Sequence, residues 1–164
     1  MRGFRIAASL LLAMLQPPAF AGEHERDEVT FAPAANAKWQ AECGSCHLAY
    51  PPALLPERSW RKLMGDLDHH FGSSAALDPP TQQEITGFLV SYSADRRNTR
   101  LARSIPAAAT PLRITETSWF KREHDEVGAS VWKRPKVGGA SNCMACHRAA
   151  DRGDFSEHRI SIPR

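Results

Sequence analysis

The feature that most limits how this chain can fold is a pentapeptide that occurs twice, Cys43-Gly44-Ser45-Cys46-His47 and Cys143-Met144-Ala145-Cys146-His147. The two copies use all four cysteines of the 164-residue chain. C-x-x-C-H is the attachment motif of c-type haem. Its spacing has a chemical reason: thiols three positions apart on an incipient helical turn can each form a thioether to one vinyl group of the same porphyrin, and the histidine that follows then lies under the iron. Cys43, Cys46, Cys143 and Cys146 are therefore the predicted covalent anchors of two haem c groups, with His47 and His147 as proximal ligands. Two other uses of the cysteines are weaker. A thioredoxin-like disulfide comes with alternating strands and helices, a pattern absent here. A four-cysteine zinc site would join motifs 100 positions apart and leave both histidines without a role.

Redox compartment and export follow from the first residues. Met1-Arg2-Gly3-Phe4-Arg5 is basic, Ile6 to Leu15 is apolar but too short to span a bilayer, and Ala19-Phe20-Ala21 has the small-residue form of a cleavage site. A secretory leader over 1–21 is expected, with the mature protein starting at Gly22 and lying in the periplasm. Removing Arg2 and Arg5 leaves 19 basic against 18 acidic side chains, so the basic isoelectric point is no argument for nucleic acid. No later stretch is apolar enough to cross a membrane.

Between the motifs the pattern is helical and broken by proline. Ala34 to Ala41 is rich in helix formers and sets Trp39 one turn ahead of Cys43. The run Leu48 to Pro56 is apolar but interrupted by Pro51, Pro52 and Pro56, which suits a loop lying against porphyrin. With Ser59 as N-cap, Trp60, Leu63, Met64, Leu67 and Phe71 recur at helical spacing until Gly72, predicting a helix over 60–71. A second helix is expected from Thr81, through the capping box Thr81-x-x-Glu84, to about Asn98. Pro106 and Pro111 mark a boundary, dividing the mature chain into haem regions 22–105 and 106–164. A third helix is expected near Ser118, followed by breaks at Pro135 and Gly138-Gly139 and an irregular tail. No strand has a clear alternating pattern, so the fold class is mainly α.

What fills the sixth position on each iron separates a carrier from an enzyme. Taking Trp60 as zero on a helix, His70 falls about 80 degrees away, at the border of the apolar face, while His69 points about 180 degrees away. His70 is therefore the expected distal ligand of the first haem. His124 falls about 40 degrees from Phe120 and about 60 degrees from Val127, facing inward, and is expected to be the second. His158 competes with it, His24 stands in a charged tail, and Met64 offers a Met/His alternative, although a methionine on an apolar stripe is more often packing. Two bis-histidine haems would have lower potentials than a Met/His cytochrome.

These residues resemble the dihaem cytochromes c, usually abbreviated DHC. The resemblance runs through Cys43 to Pro52 with Leu55-Pro56 and Ser59-Trp60, then His70-Phe71-Gly72, Ser118-Trp119-Phe120, His124, Arg134-Pro135 and Asn142 to His147. It implies a mostly helical periplasmic protein with bis-histidine haems. Its N-terminal part would be similar to monohaem cytochrome c, and its C-terminal part would wrap the second haem with little regular structure. It also implies partners: an oxygen-binding monohaem cytochrome c called the sphaeroides haem protein, and a membrane cytochrome b. Which distal histidine serves which iron stays open, because a ligand can cross between the two regions.

Two functions follow. A carrier would close both irons and dock around exposed haem edges, with Arg96, Arg97, Arg100 and Arg103 as a candidate surface or simply a solvated helix end. An enzyme, a peroxidase or small-molecule reductase, would keep one iron open beside an acid or base such as His69, Glu123 or His158. The leader reading has a direct check: intact mass of the periplasmic product should equal the chain from Gly22 plus two haems, and retention of residues 1–21 would refute it.

Overall fold

The computed structural model describes residue 31 and residues 36–164; the leader and His24 lie outside the described residues. Six short α-helices follow one another among the described residues: α1 Ala37–Cys43, α2 Glu57–Met64, α3 Pro79–Ser91, α4 Arg100–Ser104, α5 Ser118–Glu123 and α6 Ala129–Trp132. A single 3-10 turn lies in each connection except that from α5 to α6, three more follow α6, and the only sheet-like pairing among these residues is two isolated bridges, His70 with Ser73 and His147 with Ile160. The mainly α architecture expected from the sequence is the one observed.

Four of the six helices, α1, α3, α4 and α5, begin where a side chain takes an orphan amide. Asn36 accepts from Trp39 N at 2.8 Å to start α1. The helix expected from Thr81 starts earlier: Asp78 accepts from the Thr81 amide at 3.1 Å, and Pro79 and Pro80 occupy the first turn, where a missing amide hydrogen does no harm. It also stops sooner, at Ser91 rather than near Asn98, and a separate helix α4 then starts under the Thr99 cap. The helix expected over 60–71 is shifted in the same way. Pro56 precedes it, so Ser59 is buried within α2 rather than capping it, and Gly65 ends it seven positions before Gly72. Gln82 of α3 donates its amide to the Met64 carbonyl, satisfying an end that would otherwise lack a partner.

Two apolar clusters result. Trp39, Leu55, Trp60, Met64, Ile85 and Leu89 join α1, α2 and α3. Leu54, Ala94, Leu101, Ile105, Trp119 and Phe120 form the second, which draws on both sides of position 105. Adjacent residues Leu54 and Leu55 thus face different clusters, and Tyr50 and Ile114 pack against both. The proline loop is held by the buried Trp60 indole, which donates to the Pro52 carbonyl at 2.7 Å. Arg58 extends across the midpoint, donating to the carbonyls of Pro106, at 2.8 Å, and Ala109.

Because Ile85 is fully enclosed, Ile85→Ala should lower the unfolding free energy by about 2–5 kcal/mol. Ile162→Ala, at an exposed position of the tail, should change it by no more than about 0.5 kcal/mol. Denaturant titrations of the two variants followed by circular dichroism would decide it, and equal effects would contradict the core described here.

Candidate metal centres

At the first motif, α1 delivers Cys43 at its last residue and the chain turns at Gly44. A Cβ at Gly44 would lie 2.2 Å from the Gln40 carbonyl oxygen, so the residue after the first cysteine must be glycine for this turn to close. His47 then projects from the loop, its Nδ1 donating to its neighbour's carbonyl, Leu48 O, at 2.8 Å. That bond fixes the tautomer and leaves Nε2 as the metal-binding nitrogen.

The ring facing His47 is His70: their centroids are 6.2 Å apart and their planes 22° from parallel. His70 does not reach this place as part of a helix. It opens a tight turn in which Phe71 and Gly72 both have positive φ, 51° and 97°, and Ser73 N donates back to His70 O at 3.1 Å. This is a type I′ geometry, natural for Gly72 and strained for Phe71. The strained residue is braced: its ring meets His70 edge-on at 4.9 Å, and the Arg113 guanidinium lies 4.1 Å over its centre. Burial, then the neighbouring His47 ring and Arg113, holds His70 below the usual histidine range, which keeps the imidazole neutral and able to donate a lone pair.

At the second motif Cys143–Ala145 is a 3-10 turn, and His147 N donates to Cys143 O at 2.8 Å. The tail folds back over it: Ser161 N donates to Cys146 O at 3.1 Å, and Arg134 donates to Pro163 O at 2.8 Å. The ring that faces His147 is His124, with centroids 6.1 Å apart and planes at 75°. His124 is the C-terminal cap of α5 rather than a residue of a longer helix, and Val127, its expected helical neighbour, lies beyond the helix end. Its Nδ1 donates to Phe120 O at 2.9 Å, and its ring stacks on Phe120 at 4.1 Å. Trp132 lies 5.9 Å from His124, and Phe155 5.4 Å from His147. Burial also holds His147 below the usual histidine range.

Both pairs have the spacing that a shared iron requires. A metal–nitrogen bond of about 2 Å, plus about 1.1 Å from each nitrogen to its ring centre, sets two trans imidazoles about 6.2 Å apart. In each pair one Nδ1 is fixed on a carbonyl, while the other, that of His70 or His147, is buried without a hydrogen-bond partner. These two nitrogens are thus shut off from solvent without the bond that usually accompanies burial, which fits side chains placed for coordination. Among the described residues no three histidine, cysteine or acidic side chains gather as a metal site, so the four-cysteine zinc arrangement is not formed. The Cys43 and Cys143 thiols are pushed up to about 11, mainly by burial, the reverse of a thioredoxin-like nucleophile.

The other candidates lie elsewhere. Met64 is packed in the first apolar cluster. His69 is exposed and 2.7 Å from Asp66, whose carboxylate raises its pKa. His158 and Glu123 are at the surface. Of the arginines considered as a docking surface, Arg96 is paired with Glu57 at 3.0 Å and Arg103 is bonded to Asn98 at 2.8 Å. Sequence reasoning missed Tyr50, Phe71, Arg113, Trp132 and Phe155 around the two pairs. Tyr50 and Phe71 each stand next to or near a candidate histidine, and that proximity was the available signal.

A short helical fold with two facing imidazole pairs, each beside a C-x-x-C segment, defines a c-type cytochrome with two haems. The family profile described as dihaem cytochrome c matches residues 39–155. The chain belongs to the dihaem cytochrome c family and carries two covalently attached haem c groups. It is similar to the solved diheme cytochrome c from Rhodobacter sphaeroides, at 45% identity and a TM-score of 0.70, covering 74% of this chain and 98% of that one. It is also similar to the diheme cytochrome type c from Shewanella baltica OS155, at 40% identity and a TM-score of 0.66, covering 78% of this chain and 93% of that one. No match is found among curated proteins.

Replacing one facing histidine should open one iron and leave the other unchanged. In His70→Ala and in His124→Ala, half of the low-spin resonance should convert to high-spin and one equivalent of carbon monoxide should bind after reduction. Two intact low-spin signals in either variant would rule out that histidine.

Proposed function

We propose that this chain is a periplasmic electron carrier whose two irons are each closed by two imidazoles, His47 with His70 and His147 with His124. The observation that supports this reading most is the spacing of the two pairs, 6.2 and 6.1 Å, which matches one metal atom between each. On this reading Cys43 and Cys46 hold one haem c and Cys143 and Cys146 the other. The haem supplies one-electron exchange between ferrous and ferric iron. The protein supplies the rest: four imidazoles already held at bonding separation, aromatic walls at the second centre, and no vacant coordination position for a substrate. Reorganisation on electron transfer is then small, because neither ligand set has to change.

The likeness to the dihaem cytochromes c supports a redox protein as partner. The specific relay we propose runs from a membrane cytochrome b to a soluble oxygen-binding monohaem cytochrome c. No described helix is long and apolar enough to cross a membrane, so contact with a membrane donor would be made through the surface. The near balance of 19 basic and 18 acidic side chains in the chain from Gly22 gives little long-range steering, and docking would rest on short-range fit.

The test uses the reduced, full-length mature protein. Carbon monoxide should leave its visible spectrum unchanged, and stopped-flow mixing with an oxidised monohaem cytochrome c should show electron transfer whose rate changes little between low and physiological salt. Stoichiometric carbon monoxide binding would replace the carrier with an open-site enzyme, and a steep salt dependence would show that a charged patch directs docking.

A further inference from the structure

Tyr50 follows His47 by three positions, and its ring stacks on the His47 imidazole at 4.9 Å with the planes 27° apart. Its hydroxyl donates to the Ser141 carbonyl at 2.7 Å, across 91 residues of sequence. Ser141 stands two positions before Cys143, and the same carbonyl accepts from Cys143 N at 3.1 Å and lies 3.7 Å from the Cys143 sulfur. One side chain thus touches the proximal imidazole of the first centre and the peptide unit on which the first thioether cysteine of the second centre turns. Tyr50 also packs against both apolar clusters, so its ring is held at the junction between them.

We infer that Tyr50 couples the two haem centres, orienting His47 through its ring and fixing the second attachment loop through its hydroxyl, so that electrons pass between the irons along this contact. The inference rests on the two-centre reading above. In the transfer one iron loses an electron and the other gains it, while Tyr50 keeps its proton and its oxidation state. The hydroxyl is suited to that passive role: a phenol that donates to a carbonyl in a half-buried site supplies a short, fixed connection without a charge.

The contact is separable from the fold. The two halves are independently joined by Arg58 on the carbonyls of Pro106 and Ala109, by Phe31 N on Gly153 O at 2.9 Å, and by the Phe31 ring between Trp119 and Phe155. Removing the phenol oxygen therefore leaves the halves together. It also leaves the Ser141 carbonyl with the Cys143 amide.

Tyr50→Phe and Tyr50→Leu would be prepared with both haems attached, and electron exchange between the irons measured by exchange spectroscopy of the half-reduced protein. The Soret exciton couplet in circular dichroism would report the relative setting of the haems. The expected result is exchange several-fold slower in Tyr50→Phe, slower again in Tyr50→Leu, and an altered couplet, with two low-spin resonances kept in Tyr50→Phe. An exchange rate in Tyr50→Phe equal to that of the unmodified protein overturns the proposal whatever Tyr50→Leu does. So does the outcome of a purely structural tyrosine, a lower unfolding midpoint with unchanged exchange in the folded molecules. The unmodified protein's own resonance spectrum tests the two closed centres separately, so an open site there would count against the carrier reading and not against Tyr50.

Discussion

The constraint on which the structure depends is the separation of two imidazoles around a point between them. A chain of this size has short helices and divides its apolar residues between two small clusters, so it cannot enclose two large planar groups by folding alone. Thioether attachment removes the need for full enclosure, since the haem cannot dissociate, and on the bis-histidine reading we propose, the remaining task of the protein is to hold four histidines where iron could use them. That task explains why so much backbone outside the helices is tightly specified: the Leu48 carbonyl under His47, the turn at Phe71-Gly72, the α5 end at His124, and the tail folded over Cys146.

Strain is concentrated at one of these places. Phe71 is the only non-glycine among the described residues with positive φ, and it directly follows His70. A backbone conformation of this kind typically costs on the order of 1–3 kcal/mol and persists only where its surroundings enforce it. Here the enforcing contacts are the Arg113 guanidinium on one face of the ring and the His70 imidazole at its edge, together with the hydrogen bond from Ser73 to His70. Arg113 comes from beyond the proline-rich connection, so the later part of the chain helps set the turn that carries His70.

The sequence made the chemistry legible far better than the geometry. Two C-x-x-C-H motifs identify the cysteines and proximal histidines without any fold, because the pattern is dictated by the porphyrin. His70 and His124 do face the motif histidines, but not through the helical angles that singled them out: α2 ends at Gly65, and His124 caps α5 instead of facing inward from its middle. Apolar residues of the 60–71 run did recur at a helical period, and Leu67 packs at the edge of the first cluster. Period alone could not reveal that Gly65 breaks the helix and that a 3-10 turn carries the pattern onward. Similarly Gly72 was legible as a stop, but not as half of a type I′ turn, because a phenylalanine at its first central position is contrary to local preference and is decided by Arg113, 42 positions away. The cap at Asp78 was within reach of local rules, since two prolines after an acidic residue mark a helix start as well as a capping box does.

The two centres are alike in ligand type and unlike in almost everything else, which matters for any argument that carries a property from one to the other. At the first, the facing histidine follows its motif by 23 positions; at the second, it precedes its motif. The imidazole anchored on a carbonyl is the motif's own His47 in one pair and the facing His124 in the other; such a bond raises ligand basicity, so with an iron held by each pair, as we propose, the stronger donor would be the motif histidine at the first and the facing histidine at the second. The ring planes are 22° apart in the first pair and 75° in the second. Outside the two motifs the chain is not a tight sequence repeat. The second pair is held by aromatic packing from Phe120, Trp132 and Phe155, where the first relies on a strained turn and a cation.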